Sequence, residues 1–239
     1  MNSFLIALQF LTIIPVTYTF TVNDKELGSS TLFYPVIGLL IGCILAVIAI
    51  LITHISWQIQ SVILLIIWVM LTGGLHLDGL ADCADAWVGG FASKQRSLDI
   101  MKDPAAGPVA VIVLVLVLLL KWSIIYSVLE KQLFEVIILA PMLGRLSILI
   151  QMITTNYIRT NGLGEKIVTS LPRPAVIAIS VSGLLFGLYF LGLLAICLML
   201  LTIFIINQLA KKRLGGMTGD VYGATVELVE TGILLGVVL

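Results

Sequence analysis

Apolar residues run through this chain in blocks too long for strands and too uniform for one-sided helices, separated by short polar stretches. A transmembrane helix needs about 20 mostly apolar residues, and such runs occur at roughly 32–53, 59–74, 105–128 and 133–153. A longer block, about 175–206, exceeds one crossing at ~1.5 Å of rise per residue. It is expected to turn near 190, where Gly187 and Gly192 stand, and to make two short or tilted helices. Residues 221–239 supply a further crossing, in which Glu227 and Glu230 must face protein or the interface. The first run, 4–16, is cut by Pro15 and is short for a span, so an interfacial or re-entrant helix fits it as well as a crossing. The pattern therefore predicts an all-α, polytopic helical membrane protein with about six to seven transmembrane helices. No internal repeat or low-complexity linker divides it, which leaves a single integral-membrane domain over 1–239.

Composition agrees: 60% of the residues are hydrophobic, 11% are charged, and the mean hydropathy is +1.17. Soluble domains run at about 45–50% apolar and 25% charged, so the lipid bilayer is the expected surrounding. The formal net charge is zero, which gives no reason to expect a nucleic-acid partner. Cys43, Cys83 and Cys197 are scattered without metal or disulfide spacing and read as small core residues. No basic segment and cleavage site mark a signal peptide, so the first apolar stretch is expected to be retained.

Lys and Arg accumulate in cytoplasmic loops, and this fixes an orientation. If 17–31 is inside, then 73–104, 154–173 and 207–220 are inside too. These segments hold Lys25, Lys94, Arg96, Lys102, Arg159, Lys166, Arg173, Lys211, Lys212 and Arg213, whereas the opposite loops hold only Lys131. The expected location is the cytoplasmic membrane, with the polar face of 73–104 inside the cell.

That segment carries GGLHLDGLADCAD at 73–85. Asp78, Asp82 and Asp85 stand at i, i+4 and i+7, which on a helix aligns three carboxylates along one stripe. The residues around them are Leu, Ala, Trp and Val, not those of a solvated face. Like charges at this spacing repel, by roughly 0.2–0.5 kcal/mol per pair even when exposed. A divalent cation would relieve them, and an oxygen-only donor set favours a hard ion, Mg²⁺ or Mn²⁺. His76 can serve as a general base or hydrogen-bond donor, or simply as a structural residue.

Arg96, Lys102, Arg145, Arg159 and Arg173 are candidates for holding phosphate. Glycine clusters at 73–74, 89–90, 161–164 and 214–220, the last including Gly216, would allow close backbone approach to a ligand. None forms a phosphate-binding loop of the nucleotide-binding folds. A metal site beside a cationic, glycine-lined surface suits phosphoryl or nucleotidyl transfer. A cation transporter would instead place acids at several depths on different spans, commonly with inverted repeats; here five of seven aspartates lie within 78–103.

The chain resembles the cobalamin synthases, the adenosylcobinamide-GDP ribazoletransferases. The resemblance is carried by QFLTIIP at 9–15, YPVIGL at 34–39, GGLHLDGLADCADAW at 73–87, Arg96 with IMKD at 100–103, Gly144-Arg145, YIR at 157–159 with GLG at 162–164, and LGGMTGDVYGA at 214–224. Departures are Cys83 for a common Thr, Ala86 for a common Gly, and DPAAG at 103–107 where an Asp-Ser-Arg-x-Gly run is usual. The resemblance implies a Mg²⁺-dependent inner-membrane enzyme that joins adenosylcobinamide-GDP to α-ribazole, or its 5′-phosphate, and releases GMP. It further implies Asp82 and Asp85 as metal ligands with Asp78 as a third, and Asp103 as ligand or base. Lys102, Arg96 and Arg145 would hold the diphosphate, and Asp220 would bind ribose or guanine. The pair Asp82-x-x-Asp85 is also similar to the start of the CDP-alcohol phosphotransferase motif, whose later portion is missing at the expected spacing. A homo-oligomer is compatible with the sequence.

Overall fold

The computed structural model describes residues 2–16, 22–91, 93–160 and 162–239. Asn161, one of the residues in the 161–164 glycine cluster, and positions 17–21 of the first polar loop lie outside the described residues.

Eleven α-helices form the described chain, and no strand is among them. Two short helices, α1 (Asn2–Leu11) and α2 (Asp24–Ser30), lead into the bundle. A capping box fixes the start of α2: the Asn23 side chain accepts from the Glu26 amide at 2.9 Å while Glu26 accepts from the Asn23 amide. A 3₁₀ turn at Thr31–Phe33 continues it into α3 (Tyr34–Leu51), with proline in the first turn where its missing N–H costs nothing. The run Asp24–Leu51 is one membrane-length segment.

Helix α4 (Trp57–Thr72) ends at Gly73 and Gly74, both left-handed at φ +61° and +70°. Two consecutive left-handed residues are accessible to glycine at little cost. They swing α5 (Leu75–Gly89) through 88°, so α5 leaves the direction of α4 and packs against later helices of the chain. This glycine pair, a candidate ligand cradle in the sequence, makes the turn instead. Helix α6 (Lys94–Ile100) follows, then α7 (Pro108–Glu130) and α8 (Phe134–Thr154). α8 is buried along most of its length against α3 and later helices, and is the axis of the bundle.

After the short α9 (Leu163–Thr169) comes α10 (Arg173–Leu214), 42 residues broken at Gly192, whose φ is +81°. The halves fold back on each other: a methyl group added at Gly187 would meet the Ile196 side chain at 2.9 Å. The expected turn near 190 is therefore present, and the block makes two crossings. Helix α11 (Gly219–Val238) closes the bundle against α8, α10 and α5. The outward faces of α7 and α10 show Leu116, Leu119, Leu185 and Leu193, as expected where lipid, not water, is the neighbour. Counting α4 and both halves of α10 as crossings gives seven spans, within the six to seven expected of this all-α polytopic membrane protein.

Candidate active site

The stripe Asp78, Asp82, Asp85 lies on α5 as the spacing requires, but its members have different surroundings. Asp85 is turned to protein. Its carboxylate accepts from the Gly107 amide at 2.5 Å and the Ala110 amide at 2.9 Å. These are orphan N–H groups at the start of α7, whose own N-cap residue is a glycine with no side chain to offer. Asp85 is thus a helix cap delivered from another helix, and both of its oxygens are already engaged.

Asp78 is exposed and Asp82 half-buried, and they converge on an acid from the far end of the sequence. Gly79 lies so close to the start of α11 that a methyl group there would be 2.6 Å from the Asp220 carbonyl. Burial, then the negative charges of Asp220, Asp78 and Asp85, push Asp82 up to about 6, with Arg159 opposing them. Arg159 forms an ion pair with Asp220 at 2.7 Å and reaches the Met101 carbonyl at 3.4 Å. It thereby ties α11 to the loop that carries Lys102 and Asp103.

Two segments hold Arg159 in place. Residues 156–158 lie beside Met217 in an isolated parallel bridge, with Met217 N–H donating to Asn156 and Ile158 N–H to Met217. Any side chain at Gly216 would strike the Asn156 carbonyl at 2.5 Å. Gly216, expected to approach substrate, is buried and serves this packing. Thr218 caps α11 through its hydroxyl on the Val221 amide.

Between α1, α3, α5, α8, α9 and α11 lies a cavity of about 190 Å³ with Asp78 and Asp220 in its lining. Its walls include two stacked aromatic pairs, Phe10 with Tyr34 and Tyr157 with Tyr222, each about 6.1 Å between ring centres. His76 lines it too, 3% exposed, with neither ring nitrogen hydrogen-bonded. Burial, then the positive charges of Arg145 and Lys121, hold its pKa well below the usual range.

The predicted cations separate. Arg96 and Lys102 are exposed on α6 and the following loop, and Asp103 is exposed with its carboxylate on the Ala105 amide. Arg145 is not among them. It is fully buried in α8 and paired with Glu230 of α11, away from the exposed cations with which it was expected to hold a diphosphate. Glu230 also accepts from Lys121 at 2.6 Å, Lys121 reaches Glu227 at 3.0 Å, and its ammonium sits 4.1 Å from the Trp68 ring centre. Lys121 lies outside every motif of the sequence, although a lysine inside an apolar span, with two glutamates in another, is itself a signal.

Asp78, Asp82 and Asp220 offer only oxygen, the donor type a hard divalent cation takes, but among the described residues no three acid, histidine or cysteine side chains are placed together to hold a metal ion.

The cobalamin-5-phosphate synthase family model matches residues 3–238. The chain is 46% identical over 242 residues to an adenosylcobinamide-GDP ribazoletransferase of Pseudomonas fluorescens Pf-5, covering 100% of both chains. It is 47% identical to the enzyme of that name from Stutzerimonas stutzeri, over 98% of this chain and 97% of the relative. To the one from Acinetobacter baumannii ATCC 17978 it is 42% identical, over 98% and 96%. No solved structure matches.

Proposed function

The chain belongs to the cobalamin-5-phosphate synthase family, and on that premise we propose that its acid-rimmed cavity carries out the ribazole transfer of late cobalamin assembly. Adenosylcobinamide-GDP is the donor, α-ribazole or its 5′-phosphate the acceptor, and GMP the released product. The observation that carries this reading is the meeting of two distant sequence blocks: Asp78 and Asp82 from 73–87 stand beside Asp220 from 214–224, bridged to the 101–103 loop by Arg159.

In the reaction a ribose hydroxyl oxygen of the acceptor attacks the phosphorus attached to cobinamide. The bond from that phosphorus to the oxygen bridging to guanosine phosphate breaks, and GMP departs. Such a substitution depends chiefly on positioning and charge stabilisation. Arg96 and Lys102, both exposed beside the site loop, hold the diphosphate, while Arg159 orients Asp220. Asp103 takes the hydroxyl proton. Asp78, Asp82 and Asp220 would hold Mg²⁺, which when bound supplies polarisation of phosphate oxygens and neutralises their charge. Asp85 supports them by fixing α5 to α7, and His76, buried in the cavity wall, contacts substrate. The inner-membrane location, with the acids facing the cytoplasm, is supported by the concentration of Lys and Arg in the segments on that side.

The test is a two-substrate assay with purified protein in detergent or lipid, with and without Mg²⁺. Expected products are the cobalamin and GMP. Release of GDP or inorganic phosphate would overturn the reaction, and turnover of a CDP-alcohol donor with CMP release would assign the chain to lipid synthesis instead. Full activity in a chelator would remove the cation.

A further inference from the structure

The cavity behind the acids differs in character from its rim. Apart from Asp78 and Asp220 the lining is largely aromatic and aliphatic, with Phe10, Tyr34, Tyr157, Tyr222, Ile148 and Met152. Its deep polar groups are few, and among the described residues three lack partners: His76, with neither nitrogen bonded, and the Tyr34 and Tyr222 hydroxyls. A buried polar group without a partner is costly, so this arrangement suits a ligand that is flat, largely apolar, and able to accept a hydrogen bond.

Two bicyclic bases enter the reaction. Guanine carries N–H donors and a carbonyl along its edge and calls for a matching polar wall. The benzimidazole of ribazole is apolar apart from one ring nitrogen with a free lone pair. The wall matches the second. Stacking against aromatic side chains is the usual way to hold such a ring, at roughly 1–3 kcal/mol per base.

We propose that this cavity seats the base of the acceptor nucleoside, an inference that rests on the ribazoletransferase reading. The ring lies among Tyr157, Tyr222, Phe10 and Tyr34, and the unpartnered His76 donates an N–H to the free ring nitrogen. The ribose then emerges at Asp78 and Asp220, which brings its hydroxyl to the acids. The donor's guanine lies elsewhere. His76 is on this account a substrate-binding residue, not a general base.

The experiment uses full-length protein in detergent and measures KM for each substrate separately. Wild-type formation of product with GMP release is established first; its failure would sink the parent reading and not the placement of the base. Leu75→Trp and Leu163→Trp then narrow the cavity from two sides, at positions that are 41% and 49% exposed and so tolerate a larger side chain. Each is expected to raise KM for α-ribazole tenfold or more while leaving KM for adenosylcobinamide-GDP within twofold, the unchanged donor value showing that the variant is folded. Elevated donor KM alone, an equal rise in both, or no rise in either would overturn the proposal.

A second arm reads the hydrogen bond. An indole riboside, which replaces the ring nitrogen by C–H, is expected to bind wild type about fivefold to tenfold more weakly than the benzimidazole riboside, the range of one net hydrogen bond. His76→Leu should erase that difference. Retention of the full discrimination by His76→Leu would refute the contact.

Discussion

Replacing Asp85 separates two roles that the carboxylate stripe made indistinguishable. If Asp85 caps α7, its loss is a matter of stability, since the Gly107 and Ala110 amides are left without their partner. Removing a helix cap costs ~1 kcal/mol, up to about 2. Hydrogen bonds to a charged group are worth roughly 1.5–3 kcal/mol. The site is partly solvated, so part of that loss is recovered by water, and Asp85→Ala is expected to cost about 2–3 kcal/mol. For a chain of this size 1 kcal/mol moves the melting temperature by roughly 2–4 °C, which predicts a drop of about 5–10 °C. Asp85→Asn keeps one acceptor and loses the charge, and should fall about halfway between.

Thermal unfolding in detergent, read by circular dichroism or intrinsic fluorescence, measures this directly. The Mg²⁺ dependence of activity is measured alongside, at a temperature where all variants are folded. A cap predicts a lowered melting temperature and a Mg²⁺ requirement close to wild type. A cation ligand predicts the reverse, and an Asp85→Ala protein that melts with wild type but needs far more Mg²⁺ would refute the assignment.

Asp82→Asn should behave oppositely to Asp85→Ala: neutralising the carboxylate that burial and then its acidic neighbours push up to about 6 removes both a desolvation cost and like-charge repulsion, so the protein melts at or above wild type while product formation falls at least a hundredfold. Lys121→Met leaves Glu227 and Glu230 facing each other in the bundle and should cost about 3–5 kcal/mol, the penalty for orphaning a buried charge, with partial recovery on adding Glu227→Gln; a melting curve unchanged by the single substitution would count against the network. Gly74→Ala forces a side chain into a left-handed backbone and is expected to cost roughly 1–2 kcal/mol, with Gly74→Asn milder, both read by thermal unfolding. Arg159→Lys keeps the charge but cannot span Asp220 and the Met101 carbonyl together, so kcat should fall more than tenfold with little change in melting temperature.

What could be read in the sequence was whatever depends on local period or on length. The carboxylate stripe follows from spacing on one helix, and the turn near Gly192 follows from a block too long for one crossing. What could not be read depends on partners brought together by the fold. Asp85 looks identical to Asp82 until the start of α7 arrives beside it, 22 residues later in the chain. Arg145 looked like a phosphate ligand because arginine usually is one near a phosphate site, yet α8 lies at the bundle axis and the side chain finds Glu230, 85 residues away. Gly73–Gly74 and Gly216 were visible as glycines, but only the backbone angles and close contacts distinguish a turn and a packing contact from a ligand cradle. The aromatic walls of the cavity come from positions 10, 34, 157 and 222, with no spacing to link them.

These placements also explain how so apolar a chain keeps both a rigid core and a charged reaction site. Lys121, Arg145, Glu227 and Glu230 carry two positive and two negative formal charges that cancel inside the bundle. Each has a charged partner on another helix, so the group joins α7, α8 and α11 without leaving an unpaired ion in the membrane interior. Asp78, Asp82 and Asp220 are not balanced in this way. Among the described residues Arg159 alone pairs with them, and a net negative charge remains at the solvent-accessible rim. On the proposed reading, this uncancelled charge is what would attract a cation and, through it, a diphosphate. Because both arrangements hang on α11, Glu227 and Glu230 two to three turns below Asp220, displacement of the buried quartet would shift the acid that completes the site. Substitutions at Lys121 should therefore lower kcat even in preparations that remain folded, whereas substitutions on the lipid-facing side of α7, such as Leu116→Ala, should leave it unchanged.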